Sequence, residues 1–298
     1  MITKAYIKSM AAEMGFAAAC FCLPKSEDDA PADVRCFVLL LKSYGPKNGL
    51  TDAFYIAKND SYADMKKLIG RFEEMGIRTW VLSNLRLKDI ASRCGLRQGL
   101  NTLHYHRALG SKFCMELIGL DVVPAGENET PEQATLSCES CKRCMSACPG
   151  GAITANGFVK EKCIRFYMIG GKSMPLHLRN FVGGSGGSYA MIGCDVCQRV
   201  CPANQNIEKL RGMEKETDFT LEELLLCSDE TLERFGEMYG RNYAVRNRVI
   251  AQALLAAGNS GNEAYLPLIV AYKDSASPIV REYAAWAEEK MKNLQKIY

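Results

Sequence analysis

No stretch of this chain stays apolar for long. The longest uninterrupted run, residues 16–23, has eight residues, against the roughly 20 that a membrane-crossing helix needs, so no membrane partner is expected. Glu13 breaks the N-terminal apolar stretch and no small-residue cleavage pattern follows it, so a secretory leader is not expected either and the reading is cytoplasmic. Histidine is scarce, three in 298 residues. No Ser–His–Asp set and no pair of carboxylates at a spacing suited to acid–base work emerges, which leaves the common hydrolytic chemistries without their residues. An excess of one charge is missing too. The 37 basic and 34 acidic residues leave +3, a balance that neither demands nor forbids a nucleic-acid partner.

What the chain has in quantity is cysteine, 14 in all, eight of them between Cys138 and Cys201. In a reducing compartment such a concentration points to metal binding before disulfides. At 48% hydrophobic residues the chain has ample core for about two domains by length, three by its texture. Residues 1–125 mix helical and strand-like patterns and predict an α/β (α+β) domain. Ile7, Met10 and Met14 lie at helical spacing before Gly15. Cys36 to Leu41 is a continuous apolar run, as in a strand buried on both faces. Residues 62–74 predict a helix ended by Gly76, and residues 77–82 predict another buried strand.

Residues 126–212 are rich in Cys, Gly and Pro, too poor in apolar periodicity to hold together without a metal or cluster. Residues 213–298 predict helix throughout. Thr220 with Glu223 reads as a capping box. Two helices opening at Val245-Arg246 and Val280-Arg281 predict a short HEAT-like helical repeat, the first stopping at Gly258-Asn259 and the second starting from Pro278. This segment is net acidic, which weighs against a broad nucleic-acid platform, although Arg241, Arg246 and Arg248 form a local basic group.

The decisive pattern is Cys138-x2-Cys141-x2-Cys144-x3-Cys148-Pro149. Three thiolates at three-residue intervals wrap one 4Fe-4S cluster, and the fourth, held by the proline, turns to a second cluster. Cys194-x2-Cys197-x3-Cys201-Pro202 repeats the last three positions, with Met191 where a fourth cysteine would stand. Cys163 is the one cysteine left in the segment to complete a second set. The crossed rule assigns Cys138, Cys141, Cys144 and Cys201 to one cluster and Cys148, Cys163, Cys194 and Cys197 to the other, a bacterial ferredoxin-like double 4Fe-4S domain. Two four-thiolate zinc sites are the competing reading, disfavoured because zinc uses separated CxxC pairs. Such clusters pass single electrons, so a ferredoxin- or flavodoxin-type donor is an expected partner.

Other features are weaker. Gly170-Gly171-Lys172-Ser173 resembles the end of a phosphate loop, without the required earlier glycine. Gly183, Gly184, Gly186 and Gly187 read as a flexible turn, with closure over a flat cofactor as the functional alternative. His104 and His106 would share a strand face, read as hydrogen-bonded or surface residues. Cys20, Cys22, Cys36, Cys94, Cys114 and Cys227 lack ladder spacing and read as core.

The order of ladder, isolated Cys163 and Ile-Gly-Cys194-Asp-Val-Cys197-Gln-Arg-Val-Cys201-Pro resembles the epoxyqueuosine reductase family, as does the tail from Arg246 to Asn259 and from Val280 to Ala287. Gly95-Leu96, Asn101-Thr102, Gly110 to Phe113 and Glu116 resemble a worn form of that family's cofactor-domain signature. The resemblance covers roughly residues 60–298. It implies two 4Fe-4S clusters, a cobalamin, a tRNA substrate whose base epoxide is reduced, and electrons delivered singly to cobalt. The chain departs from the family in three places. It is shorter, mainly in the N-terminal domain, and Val81 stands where the family's proton-donating Asp is expected, with Asp89 the nearest aspartate, eight residues on. Ala203 replaces the Trp of Cys-Pro-Trp-Asn. Separately, no DxHxxG sequence occurs, so a corrinoid would bind without that histidine-ligating motif. These departures, with the acidic tail, suggest a reductase whose substrate is not the usual tRNA. A true tRNA epoxyqueuosine reductase and a non-catalytic electron carrier are the alternatives.

Overall fold

A computed structural model describes residues 1–45, 50–127, 137–170, 172–183, 190–205 and 219–295. The chain divides into two compact units. One comprises Met1–Gly45, Ala57–Cys141 and Cys201–Gly212, the other Pro46–Ile56, Lys142–Val200 and Met213–Tyr298. The cysteine-rich segment is thus shared between them, and each unit is described by itself.

Unit 1 is built on a four-stranded antiparallel sheet. Its strands are β1 (Ala18–Cys22), β2 (Cys36–Ser43), β3 (Thr79–Val81) and β6 (Phe113–Leu120), in the order β1-β2-β6-β3. Short β4 (Arg97–Gln98) and β5 (His104–Tyr105) form a separate hairpin. Helices α1 (Lys4–Glu13) and α2 (Ala53–Glu74) supply Ile7, Met10, Met65, Leu68 and Phe72 to one face, against Val38, Leu40, Ile118 and Leu120. The other face, with Phe37, Leu39, Leu41 and Leu117, is covered by Ile90, Ala91 and Cys94 of α3 (Leu87–Arg93) and the residue after it. Because both faces of β2 are packed, its sequence is apolar without alternation.

The antiparallel sheet settles the fold as α+β. α1 begins at its Thr3 cap and ends before Gly15, whose φ of +79° carries the chain out of the helix. Two expectations change. The helix expected over 62–74 starts nine residues earlier, at Ala53. The strand expected to be buried over 77–82 is a three-residue edge. β3 pairs with β6 alone, and Val81 is 43% exposed. Its apolar residues gave the signal of burial, but an edge position supplies neighbours on one side only.

The helical part of unit 2 comprises α9 (Leu221–Leu226), α10 (Asp229–Tyr239), α11 (Arg246–Ser260), α12 (Leu266–Ala271) and α13 (Pro278–Gln295). The capping box forms as expected, with the Thr220 hydroxyl accepting from Glu223 N–H at 3.2 Å and a Glu223 carboxylate oxygen accepting from Thr220 N–H at 2.7 Å. α11 does not stop at Gly258-Asn259. Gly258 lies inside the helix, where a Cβ would meet Ala287 of α13, and the left-handed residue that ends α11 is Gly261. Gly258 therefore permits close helix packing. Arg246 pairs with Asp229 and the Cys227 carbonyl, and Arg248 donates to the Asn242 carbonyl, so two of the three clustered arginines hold the tail together.

Candidate metal centre

In unit 2, α5 (Arg143–Ala147) carries Cys144 and ends at Cys148, whose backbone is extended. Pro149, Gly150 and Gly151 then turn the chain. A Cβ on Gly150 would overlap the Lys162 carbonyl oxygen, and Gly151 has φ of +61°, so this turn accepts glycine alone at both positions. It leads into the hairpin of β7 (Ile153–Thr154) and β8 (Gly157–Phe158). Ala152 N–H donates to the Cys148 sulfur at 3.3 Å. Cys163 follows a 3-10 turn at residues 160–162, its own N–H bonded to the Lys160 carbonyl. The N–H groups of Arg165 and Phe166, in the first turn of α6 (Ile164–Gly170), donate to its sulfur. α8 (Val196–Arg199) carries Cys197 and packs on α5.

Cys194 is held by residues far away in sequence. Gly193, with φ of +100°, packs against Asp52 and Tyr55, where a Cβ would not fit. Asp52 N–H donates to the Ile192 carbonyl at 2.9 Å and Met191 N–H to the Leu50 carbonyl at 2.6 Å. Arg165 stacks on Phe54, 4.4 Å from the ring centroid, and donates to the Tyr55 hydroxyl at 3.1 Å. Residues 50–56 thus brace the Cys194 loop. The sequence reading missed them, since nothing in their spacing marks them. Met191 lies fully buried in the apolar core, so the position aligned with a fourth ladder cysteine serves packing.

The thiols here perturb one another. Burial pushes Cys194 up to about 12, with Cys163 and the carboxylates of Asp195 and Asp52 adding to the rise. Burial and then Cys194, Cys163, Cys144 and Cys148 all push the Cys197 thiol up. Burial raises Cys163, with Cys148 adding and the N–H donors opposing. Five thiols converge on one buried neighbourhood where a bare thiolate is unfavourable, the setting in which iron cations would displace the protons. None of the 14 cysteines is joined in a disulfide. Among the described residues no group of three or more His, Cys, Asp or Glu is arranged around a single metal ion. The donor set, soft sulfur with backbone N–H groups aimed at it, fits iron–sulfur ligation.

In unit 1, Cys138 on the short helix α4 (Cys138–Cys141) and Cys201 pack with Tyr105, Leu103 and Ala203. The Tyr105 hydroxyl donates to the Cys201 sulfur and accepts from Asn101 Nδ2 at 2.9 Å. Asn204, buried beside Cys201, accepts from Ser111 N–H at 2.9 Å and donates to the Ser111 hydroxyl at 3.0 Å. Glu116, on β6, accepts from Lys58 and Ser61, each at 2.5 Å. Asn101, Ser111 and Glu116, residues of the worn signature, therefore tie the protein to itself. Val81 has no proton to give, and Asp89 lies in the first turn of α3, 3.8 Å from Arg86. His104 is buried with Nε2 2.9 Å from the Ser92 hydroxyl. It shares β5 with Tyr105 while His106 falls outside it, bridged to Gly110, so the two histidines do not line one strand face. α6 leads into Gly170 where a phosphate loop needs a strand, Lys172 lies over the Phe166 ring, and Ser173 bonds Glu282. Gly171 and most of the glycine-rich turn at 183–187 lie outside the described residues.

Residues 137–204 match the family model of a 4Fe-4S double cluster binding domain. The epoxyqueuosine reductase of Lactococcus garvieae is 31% identical over 222 residues, 70% of this chain and 59% of that protein. The chain is a relative of epoxyqueuosine reductase. It matches about three-fifths of the length of that curated relative. The fold is also that of epoxyqueuosine reductase crystal structures. A selenomethionine-labelled one superposes with a TM-score of 0.77 at 18% identity, covering 98% of this chain and 93% of the other. One solved with an epoxyqueuosine-modified tRNA-Tyr stem loop superposes with the same TM-score at 19% identity, covering 98% and 92%. Among the described residues no helix is long and apolar enough to cross a membrane.

Proposed function

We propose that this chain is a cytoplasmic two-cluster iron–sulfur reductase of the epoxyqueuosine reductase kind, taking single electrons from a ferredoxin- or flavodoxin-type donor. Cys138, Cys141, Cys144 and Cys201 would hold one 4Fe-4S cluster, and Cys148, Cys163, Cys194 and Cys197 the other. The observation that carries the reading is the gathering of Cys148, Cys163, Cys194 and Cys197 in one buried neighbourhood of unit 2. When bound, the clusters supply reversible one-electron transfer. The chain's own part is to bury the thiols and aim N–H groups at them. Ala152 serves Cys148, Arg165 and Phe166 serve Cys163, and Val196 serves Cys194, each donor favouring the reduced, more negative state.

The substrate differs from the usual tRNA epoxide on this reading, because the half-exposed edge strand offers the Val81 side chain where the family's resemblance calls for an acid. The 31% identity to a named relative favours a second reading, a true tRNA epoxyqueuosine reductase with Asp89 as the proton source. A corrinoid is implied by the resemblance alone. Asn101, Ser111 and Glu116 have their polar groups engaged inside the protein, and no step is assigned through that group. The helical tail is read as a HEAT-like pair, α11 and α13.

Anaerobic purification with iron, sulfide and cobalt counted per chain tests the reading. About eight iron and eight sulfide are expected; zinc in their place, or about four iron, overturns it. An unchanged cobalamin spectrum under reducing conditions would remove the corrinoid and leave an electron carrier. Restoration of queuosine in a strain lacking its own reductase would select the second reading.

A further inference from the structure

Three cysteines of unit 1 lie together on the sheet face covered by α3, outside the cluster reading. Cys20 and Cys22 are on β1 and Cys94 follows α3, while Cys36, which opens β2, alternates with Phe37 onto the opposite face, its sulfur 3.8 Å from the Cys22 carbonyl oxygen. Arg93 fixes their relation. Its Nη1 donates to the Leu23 carbonyl at 3.3 Å, and its Nη2 donates to both carboxylate oxygens of Asp28 at 2.7 and 2.8 Å. Two adjacent residues thus clasp two adjacent residues: Arg93 holds Leu23, and the Cys94 thiol donates a hydrogen bond to the Cys22 sulfur.

We propose that Cys22 and Cys94 form a redox-modification site, a dithiol that closes to an intramolecular disulfide by exchange with a low-molecular-weight disulfide and reopens with a dithiol reductant. The Cys22 thiolate attacks one sulfur of the incoming disulfide, forming a mixed disulfide and releasing one thiolate. The Cys94 thiolate then attacks the Cys22 sulfur, closing the protein disulfide and releasing the second. The two protein protons leave on the two released thiols, so one disulfide is reduced as one forms.

The surroundings assign the roles. The hydrogen bond from Cys94 lowers the Cys22 thiol, with the Arg93 guanidinium adding to it and burial and the Asp28 carboxylate opposing. Donating that bond, together with burial, raises Cys94. Burial pushes Cys20 and Cys36 each up to about 11, keeping them protonated. Cys22 is also the half-buried member of a group otherwise buried. Nucleophile, resolving thiol and two bystanders are distinguished by position and charge.

The test uses the anaerobically purified protein with its clusters in place, incubated with glutathione disulfide, quenched in acid, alkylated and mapped by mass spectrometry. The expected result is a cross-linked peptide pair containing Cys22 and Cys94 in most chains, two hydrogens lighter than the separate thiol peptides. Dithiothreitol should reverse it, and the visible cluster absorption should not change. Cys94→Ser should stop at one glutathione on Cys22, and Cys22→Ser should leave Cys94 open to alkylation. The proposal fails if both cysteines of the wild-type chain stay alkylatable. It also fails if Cys22 keeps its glutathione beside a free Cys94, or links to Cys20 or Cys36. The wild-type map decides alone should either variant not fold.

Discussion

Cys197 in unit 2 and Cys36 in unit 1 both have thiols pushed up by burial, yet they sit in different kinds of structure. Cys36 opens a strand whose neighbours are Phe37, Val38, Leu39, Leu40 and Leu41, packed on both faces by helices. Its sulfur donates to the Phe37 carbonyl at 3.4 Å and serves as one more small apolar group in a core complete without it. Cys197 lies on a four-residue helix, with Cys144, Cys148, Cys163 and Cys194 among the groups that raise it. The helices and hairpin around it are too short to be stable alone. One region is held by apolar burial; the other gathers thiols, and on the proposed reading its order depends on the iron they would bind.

Removing the iron is the strongest way to break that comparison. Chelation under reducing conditions should collapse amide-exchange protection over residues 142–170 and 190–200, while β2 and β6 keep theirs. Equal loss in both regions would show that the sheet also depends on the metal. A smaller perturbation is Cys197→Ser, which should lower the iron from about eight to about four per chain. Retention of the full complement would remove Cys197 from the ligand set. Cys36→Ala, at the other pole, should leave iron content unchanged and cost about 1 kcal/mol of stability for one lost sulfur in a packed core. Denaturant unfolding of the sheet, followed with the iron count, reads both quantities.

The same contrast explains what could be read from the chain. The ligand candidates are legible because a ladder is local: three-residue steps put sulfurs around one corner, and Cys-Pro turns the fourth away. Cys22 and Cys94 read as core because a long stretch of chain separates them and Arg93, joining α3 to Leu23 and Asp28, brings them together. β2 is legible because burial on both faces writes an unbroken apolar run. β6, central in the same sheet, is masked by Glu116, whose charge is met inside the fold by Lys58 and Ser61. β3 misleads the other way, since Trp80 and Val81 look buried in sequence but stand at an edge with one hydrogen-bonded neighbour. The bracing of Cys194 by Asp52 and Tyr55 leaves no trace in spacing, because close approach at Gly193 is a property of two backbones.

The smallest expected effect concerns Tyr105, a residue of the sheet-bearing unit that reaches a ladder cysteine. Its hydroxyl donates to Cys201 and is itself oriented by Asn101. A hydrogen bond to a cluster sulfur favours the reduced state, because reduction puts more negative charge on the acceptor. Tyr105→Phe removes that donor and keeps the ring that packs against Cys138 and Cys201. Losing one bond worth about 1 kcal/mol should lower the potential of the cluster held by Cys201 by roughly 40 mV, with iron content unchanged. Redox titration followed by EPR should show one cluster moving and its companion staying in place. A shift of both would mean that the substitution acts through the fold, and no shift would mean that the hydroxyl does not tune the cluster through Cys201.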